Sequence, residues 1–224
     1  MIRSVNIAIN NRTYLKDPVS SELGKKIIKQ SIDMIHELGF EEFTFRKLGL
    51  RIASPEASVY RYFESKHKLL LYLASCYWAW MDYRIAFATA NIESPEDRIM
   101  RSLDVLTQKV TNDDVFTHID VVKLQMIVTS ESSKAYLTKQ VDSENREGLF
   151  SDYKELVARV SKFISDANPN YPFPQMLIST IIESIHHQRF FAAHLPRLTN
   201  VIDGEDAVRS FVKELVLKTV LKKG

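Results

Sequence analysis

Residues 39–70 read "GFEEFTFRKLGLRIASPEASVYRYFESKHKLL", and their punctuation decides the fold. Gly39 is the residue type that closes a helix. Thr44 can cap the next one, which is short and runs to about Ile52. Ser54-Pro55 reads as an N-cap followed by a first-turn proline. The proline also pushes Ser54 away from helical angles and so enforces a break. A third short helix is therefore expected over about 55–62, and Ser65 caps a fourth. Two short helices joined by a tight turn, the second with an exposed start, make a helix-turn-helix, whose second helix enters the major groove of DNA.

Moving upstream, "SSELGKKIIKQSIDMIHELGF" predicts a helix with Ile27, Ile28, Ser31, Met34, Ile35 and Leu38 on its apolar side. Residues 1–19 are polar and irregular and read as a flexible arm. Downstream, "KHKLLLYLASCYWAWMDYRIAFATA" is apolar on nearly all sides, as a helix central to its domain would be. Ser94-Pro95 starts another helix. Further helical stretches are expected near 96–110, 115–129 and 132–167, the last broken or kinked. A loop at 165–175 precedes a final pair over about 174–195 and 204–222, separated at Asp203-Gly204. Strand signals are almost absent. The expected architecture is all-α: an N-terminal three-helix DNA-binding domain over 20–65 and a larger helical body over 66–224.

The residue types suit a nucleic-acid surface. Thr44 offers a hydroxyl and free amides to a phosphate. Arg46 and Arg61 can fork onto guanine or clamp phosphate. Tyr60 and Tyr62 offer hydroxyls, and Lys66 can reach the backbone. Leu48, Ile52, Val59 and Phe63 should face inward. Of the chain's 30 Lys/Arg and 28 Asp/Glu, twelve basic and eight acidic residues fall in 1–70, a modest excess that permits a DNA-facing N-terminal third.

The same run resembles the DNA-binding domain of TetR-family transcriptional regulators. The Gly-Phe that closes the first helix, the Thr that opens the second, the aliphatic-Tyr-x-Tyr-Phe at 59–63, the acidic-Ser-Lys linker and the Leu-rich helix start carry the likeness. The resemblance implies a homodimer on double-stranded DNA with a C-terminal small-molecule-binding domain. By matching position it implies that Thr44, Tyr60, Tyr62 and Lys66 face phosphates. It places Arg46, Glu56, Ala57, Ser58 and Arg61 near base edges. Glu56 either accepts from a cytosine amino group or only favours the helix dipole. The departures are Ala53 where the family usually has the turn glycine, Pro55 where it has a capping serine, Ala57 where it often has Gly, and Gly49 where Ala is common.

Other features are weighed against plain packing. Trp80, Tyr83 and Phe87, with His186, are candidate pocket residues. Ile178, Ile181, Ile182 and Ile185 form one apolar stripe, and Val208, Phe211, Val212, Leu215 and Val216 another; both are candidate dimer surfaces. Glu64/His67 and Glu183/His186 give two Glu-x-x-His pairs, a spacing used by di-metal sites that need two further glutamates; no metal or other cofactor is expected. The lone Cys76 reads as a buried, inert thiol. No apolar run approaches the ~20 residues of a membrane helix, and the N-terminus does not read as a signal peptide. The composition is that of a soluble cytoplasmic protein. The leading expectation is a ligand-responsive regulator, a repressor on a palindromic operator. The alternatives are an all-helical metal-dependent enzyme using the Glu-x-x-His pairs, and a non-sequence-specific DNA- or protein-interaction module.

Overall fold

The structure, a computed structural model, describes residues 9–111, 119–202 and 204–221. Every regular element among them is helical: α1 (Glu22–Leu38), α2 (Phe45–Ile52), α3 (Glu56–Tyr60), α4 (Lys66–Thr89), α5 (Pro95–Thr107), α6 (Val121–Tyr136), α7 (Val141–Arg146), α8 (Ser151–Ala167), α9 (Pro174–His194) and α10 (Ala207–Val216). None of the described helices is long and apolar enough to cross a membrane. The chain divides into two compact units. One holds residues up to Trp80 together with Val110–Tyr153; the other holds Met81–Lys109 and the chain from Lys154 on. In this division α6 and α7 group with the DNA-binding helices. The reason is cover: three short helices bury too little apolar surface alone, and α6 packs on α1.

Within the first unit, Ser21 caps α1 by accepting from the Gly24 N–H, and Gly39 ends it at φ 80°. Ile27, Ile28, Ile32, Phe43, Leu48, Ile52, Val59, Phe63 and Leu69 are all but fully buried; each contributes about 1.5–3 kcal/mol. Leu38, expected on the apolar side, is 44% exposed, and Ile32 is buried on that side. Residues 9–19 are not a loose arm. Thr13 is fully buried, Tyr14 meets Tyr72 edge-on at 5.9 Å, and the Leu15 N–H donates to the Tyr62 carbonyl at 2.8 Å. Pro18 lies so close to Gly24 that a Cβ there would sit 2.2 Å from the Pro18 carbonyl oxygen. Residues 1–8, including Arg3, lie outside the described residues, as do 112–118, where part of the helix expected over 115–129 falls. The helix that follows is capped by Asp120, which accepts from the Val122 and Lys123 N–H groups. The stretch 132–167 is indeed interrupted, at 137–140 and 147–150. Burial pushes the Cys76 thiol up to about 12, so it is unreactive at neutral pH.

Within the second unit, α5, α9 and α10 pack on one another. The two apolar stripes expected to form a dimer surface are used here, inside one protomer. Ile178, Ile181, Ile182 and Ile185 on α9, and Val208, Val212 and Val216 on α10, are all buried; Leu215 is half-buried, and only Phe211, at 50%, stays exposed. Ion pairs fix the arrangement: Asp104 on α5 takes both Arg209 at 2.6 Å and Lys213 at 2.5 Å. Arg159 on α8 forks onto Asp82 at 2.6 and 2.8 Å. Asp203 lies outside the described residues; its neighbour Gly204 takes φ 78°.

Candidate nucleic-acid interface

The surface is built from the turn outward. The Thr44 hydroxyl accepts from the Lys47 N–H at 3.2 Å and starts α2. Ala53 ends it in the left-handed region, φ 53° and ψ 47°, a conformation costing a non-glycine residue about 1–2 kcal/mol. The Ser54 N–H then folds back onto the Gly49 carbonyl at 2.9 Å. A Cβ at Gly49 would lie 2.8 Å from the Ser54 carbonyl oxygen and 3.2 Å from the Glu56 nitrogen. Gly49 is therefore more than a weak helix former; the turn can close only because that position has no side chain. Pro55, not Ser54, stands at the N-cap of α3, without a side-chain cap. The reason is positional: the proline keeps extended angles, φ −56° and ψ 143°, so the helix begins one residue later, at Glu56.

Arg46, Glu56, Ala57, Tyr60 and Arg61 are exposed. Tyr60 rests edge-on against Phe45 at 5.0 Å and stays 47% exposed. Neither Arg46 nor Arg61 is ion-paired with any described residue; Arg61 makes only a 3.5 Å contact to the Ser58 hydroxyl. Arg51, the same residue type one turn away, forks onto Glu37 at 2.6 and 2.8 Å and donates to Gln30. The sequence does not separate these arginines; the structure leaves two with their forks open.

Three expected contact residues are committed elsewhere. Ser58 is 9% exposed and packs inward. Tyr62 is 3% exposed, and its hydroxyl shares a hydrogen bond with the Ser21 hydroxyl at 2.8 Å. The Lys66 ammonium donates to the carbonyls of Phe40, Glu41 and Phe43 at 3.1, 3.1 and 3.3 Å, which uses its three protons. These residues fasten the segment before α2 and the start of α1.

The same unit contains a cavity lined by Leu71, Ala74 and Trp78 of α4, Glu131 and Ala135 of α6, and Tyr153, among others. None of Trp80, Tyr83, Phe87 or His186 lines it. Trp80 is core, 1% exposed, and Phe87 is 76% exposed. Residues two apart on a helix point about 200° apart, so Trp78 on the cavity side carries Trp80 away from it. His186 is buried in the second unit, which holds its imidazole down at about 4.

A short capped helix carrying Arg46, a tight turn and an exposed second helix ending at Arg61 define the helix-turn-helix class of DNA-binding proteins. Residues 27–73 match the family described as bacterial regulatory proteins, tetR family. Residues 27–73 are thus a TetR-family DNA-binding domain. No curated protein matches it significantly in sequence. Solved structures share its fold across most of their length. AibR, solved with isovaleryl coenzyme A and operator DNA, is 14% identical over 88% of this chain and 98% of its own, with a TM-score of 0.55. The TetR family transcriptional regulator PfmR from Thermus thermophilus is 10% identical over 88% and 98%, at 0.56. The superantigen PfiT is 14% identical over 93% and 100%, at 0.60. At such identities the likeness is one of fold, and the differing descriptions illustrate that a fold hosts more than one function.

Proposed function

We propose that this chain is a homodimeric repressor that binds a palindromic operator and is released by a small molecule. The observation that carries the DNA contact is the exposed pair Arg46, in the first turn of α2, and Arg61, at the C-terminal end of α3. Guanidinium forks without carboxylate partners are what guanine edges and phosphates engage. Thr44 and Tyr60 flank them as phosphate contacts, with Glu56 and Ala57 at the groove-facing start. Dimerisation follows from the need of such a motif to read two half-sites about one helical turn apart. Since the isoleucine and valine stripes are consumed within one protomer, the dimer surface falls to the apolar side chains left exposed on α9 and α10, Met176, Phe190 and Phe211. AibR was solved with operator DNA and a coenzyme A ester, which makes a small-molecule effector a natural expectation for a chain of this fold.

Selection from a pool of genomic fragments by ligand-free protein tests this. A palindromic site should emerge, and Arg61→Ala should relax its sequence preference by about 1–3 kcal/mol at the contacted base. Equal affinity for all duplexes, with steep salt dependence as the main feature, would instead support non-specific binding. The metal-enzyme alternative draws no support from the geometry. His67 pairs with Glu144 at 2.9 Å, and no group of three or more potential metal ligands occurs among the described residues.

A further inference from the structure

The reading helix α3 has five residues, Glu56–Tyr60, too few to hold a helix by themselves. Its placement is set by what grips its two ends. The Gly49 turn grips the start. The other end is gripped at Tyr62, on three sides, by residues 15–21. The Leu15 N–H donates to the Tyr62 carbonyl at 2.8 Å. The Lys16 ammonium lies 5.2 Å from the centre of the Tyr62 ring, within cation–π range. The Ser21 hydroxyl shares a hydrogen bond with the Tyr62 hydroxyl at 2.8 Å. The Leu15 side chain is 66% exposed, so what this residue supplies is its N–H. The same segment is tied down at its other end. The Asn10 side-chain amide donates to the Gly148 carbonyl and lies 3.3 Å from the Ser151 hydroxyl, while its Oδ1 accepts from the Arg12 N–H at 2.9 Å. Gly148 and Ser151 belong to the turn between α7 and α8. Gly148 makes room for the amide, since a Cβ there would crowd the Asn10 nitrogen at 3.3 Å. The seat is firm: α7 is braced on the start of α4 by the 2.9 Å contact of Glu144 with His67.

We propose that residues 10–16 are a strap that positions the reading helix, and that Asn10 is its latch: a positioning residue for DNA recognition that acts through Tyr62 and not through a contact of its own with DNA. This rests on the DNA reading by α3 proposed above. Arg61 stands between Tyr60 and Tyr62, so a held Tyr62 backbone fixes the point from which the Arg61 fork reaches. With the latch undone, the strap regains chain entropy that its grip on Tyr62 must then oppose. The correctly placed α3 becomes a fraction of the population, and DNA affinity falls by that fraction. No phosphate contact is lost in the process.

The test uses the full chain and Asn10→Ser, which is uncharged and still able to cap the turn at Asn11–Thr13 but too short to reach Gly148. Without DNA, amide exchange should accelerate at Leu15 and also at Tyr62 and Phe63, whose N–H groups donate to the Val59 carbonyl. A merely local fastening would not carry the effect into α3. Affinity for the selected operator should fall about three- to tenfold, the worth of one net hydrogen bond, with an unchanged salt slope. Should Asn10→Ser fail to fold, Leu15→Pro must produce both effects in its place. It removes the N–H that holds Tyr62, and Tyr14 before it already has the extended angles, φ −140° and ψ 158°, that a residue preceding proline adopts. Faster exchange confined to Leu15 overturns the proposal, as does undiminished operator affinity or a shallower salt slope, the mark of a lost phosphate contact. Arg61→Ala, measured alongside, separates the two readings: if it binds DNA as the wild type does, the reading by α3 fails, while exchange at Tyr62 still decides whether the strap holds that helix.

Discussion

Replacing His186 by Phe tests the second unit's core through pH. Burial is the main cause holding the imidazole at about 4, with His187 adding to it and Glu183 opposing; an unfolded histidine sits near 6.5. The folded state thus binds this proton less readily than the unfolded state. Stability is full above pH ~6.5 and falls as the pH drops through the window between 6.5 and 4. Inside that window each pH unit costs about 1.4 kcal/mol, so lowering the pH from 7 to 5 should remove about 2 kcal/mol. Urea unfolding at both pH values, at fixed protein concentration, measures it. His186→Phe has no proton to gain, and every other titrating group is common to both proteins. The wild type should lose about 2 kcal/mol more than the variant over this interval. Equal losses would refute a histidine kept neutral by burial.

Gly49→Ala should gain about 1 kcal/mol of helix propensity but lose more, because the new Cβ meets the Ser54 backbone oxygen at 2.8 Å; a net loss of about 1–3 kcal/mol is expected in thermal unfolding, with weaker operator binding. Arg46→Ala should weaken DNA binding and leave thermal stability unchanged. Arg51→Ala, which breaks the exposed pair with Glu37, should instead lower stability slightly and spare direct DNA contacts; an electrophoretic shift assay beside a melting curve separates the two. Phe211→Glu should shift the subunit from dimer towards monomer in sedimentation, whereas Val212→Ala, which trims a buried side chain, should cost about 2 kcal/mol of stability and leave the oligomeric state alone.

The first four helices were legible because their signals are local. Thr44 and Ser65 each accept the backbone bond that their positions predict, and Gly39 has the positive φ that a stop needs. The cavity was not legible. The α4 sequence is apolar all round, so periodicity points to no side, and Trp80 and Phe87 looked as suitable as Trp78. A glutamate in "TSESSKAY" reads as a solvated charge; only the structure shows that Glu131 is buried and bonded to the Phe40 N–H. The α9 and α10 stripes announced burial correctly, but a stripe does not say whether its cover comes from the same chain. Lys66 and Tyr62 match the family's spacing, yet their polar atoms are taken by Phe40, Glu41, Phe43 and Ser21, which lie far away in sequence.

The exchange of glycine between positions 49 and 53 also orders the mutational paths open to this motif. Ala53→Gly relieves a left-handed alanine and crowds nothing, so it can arise first. Gly49→Ala forces the Ser54 backbone aside while Ala53 still holds the turn shut. A lineage moving between this turn and the family's usual one is therefore channelled through an intermediate with glycine at both positions, and the reverse order passes through a protein whose reading helix is misplaced.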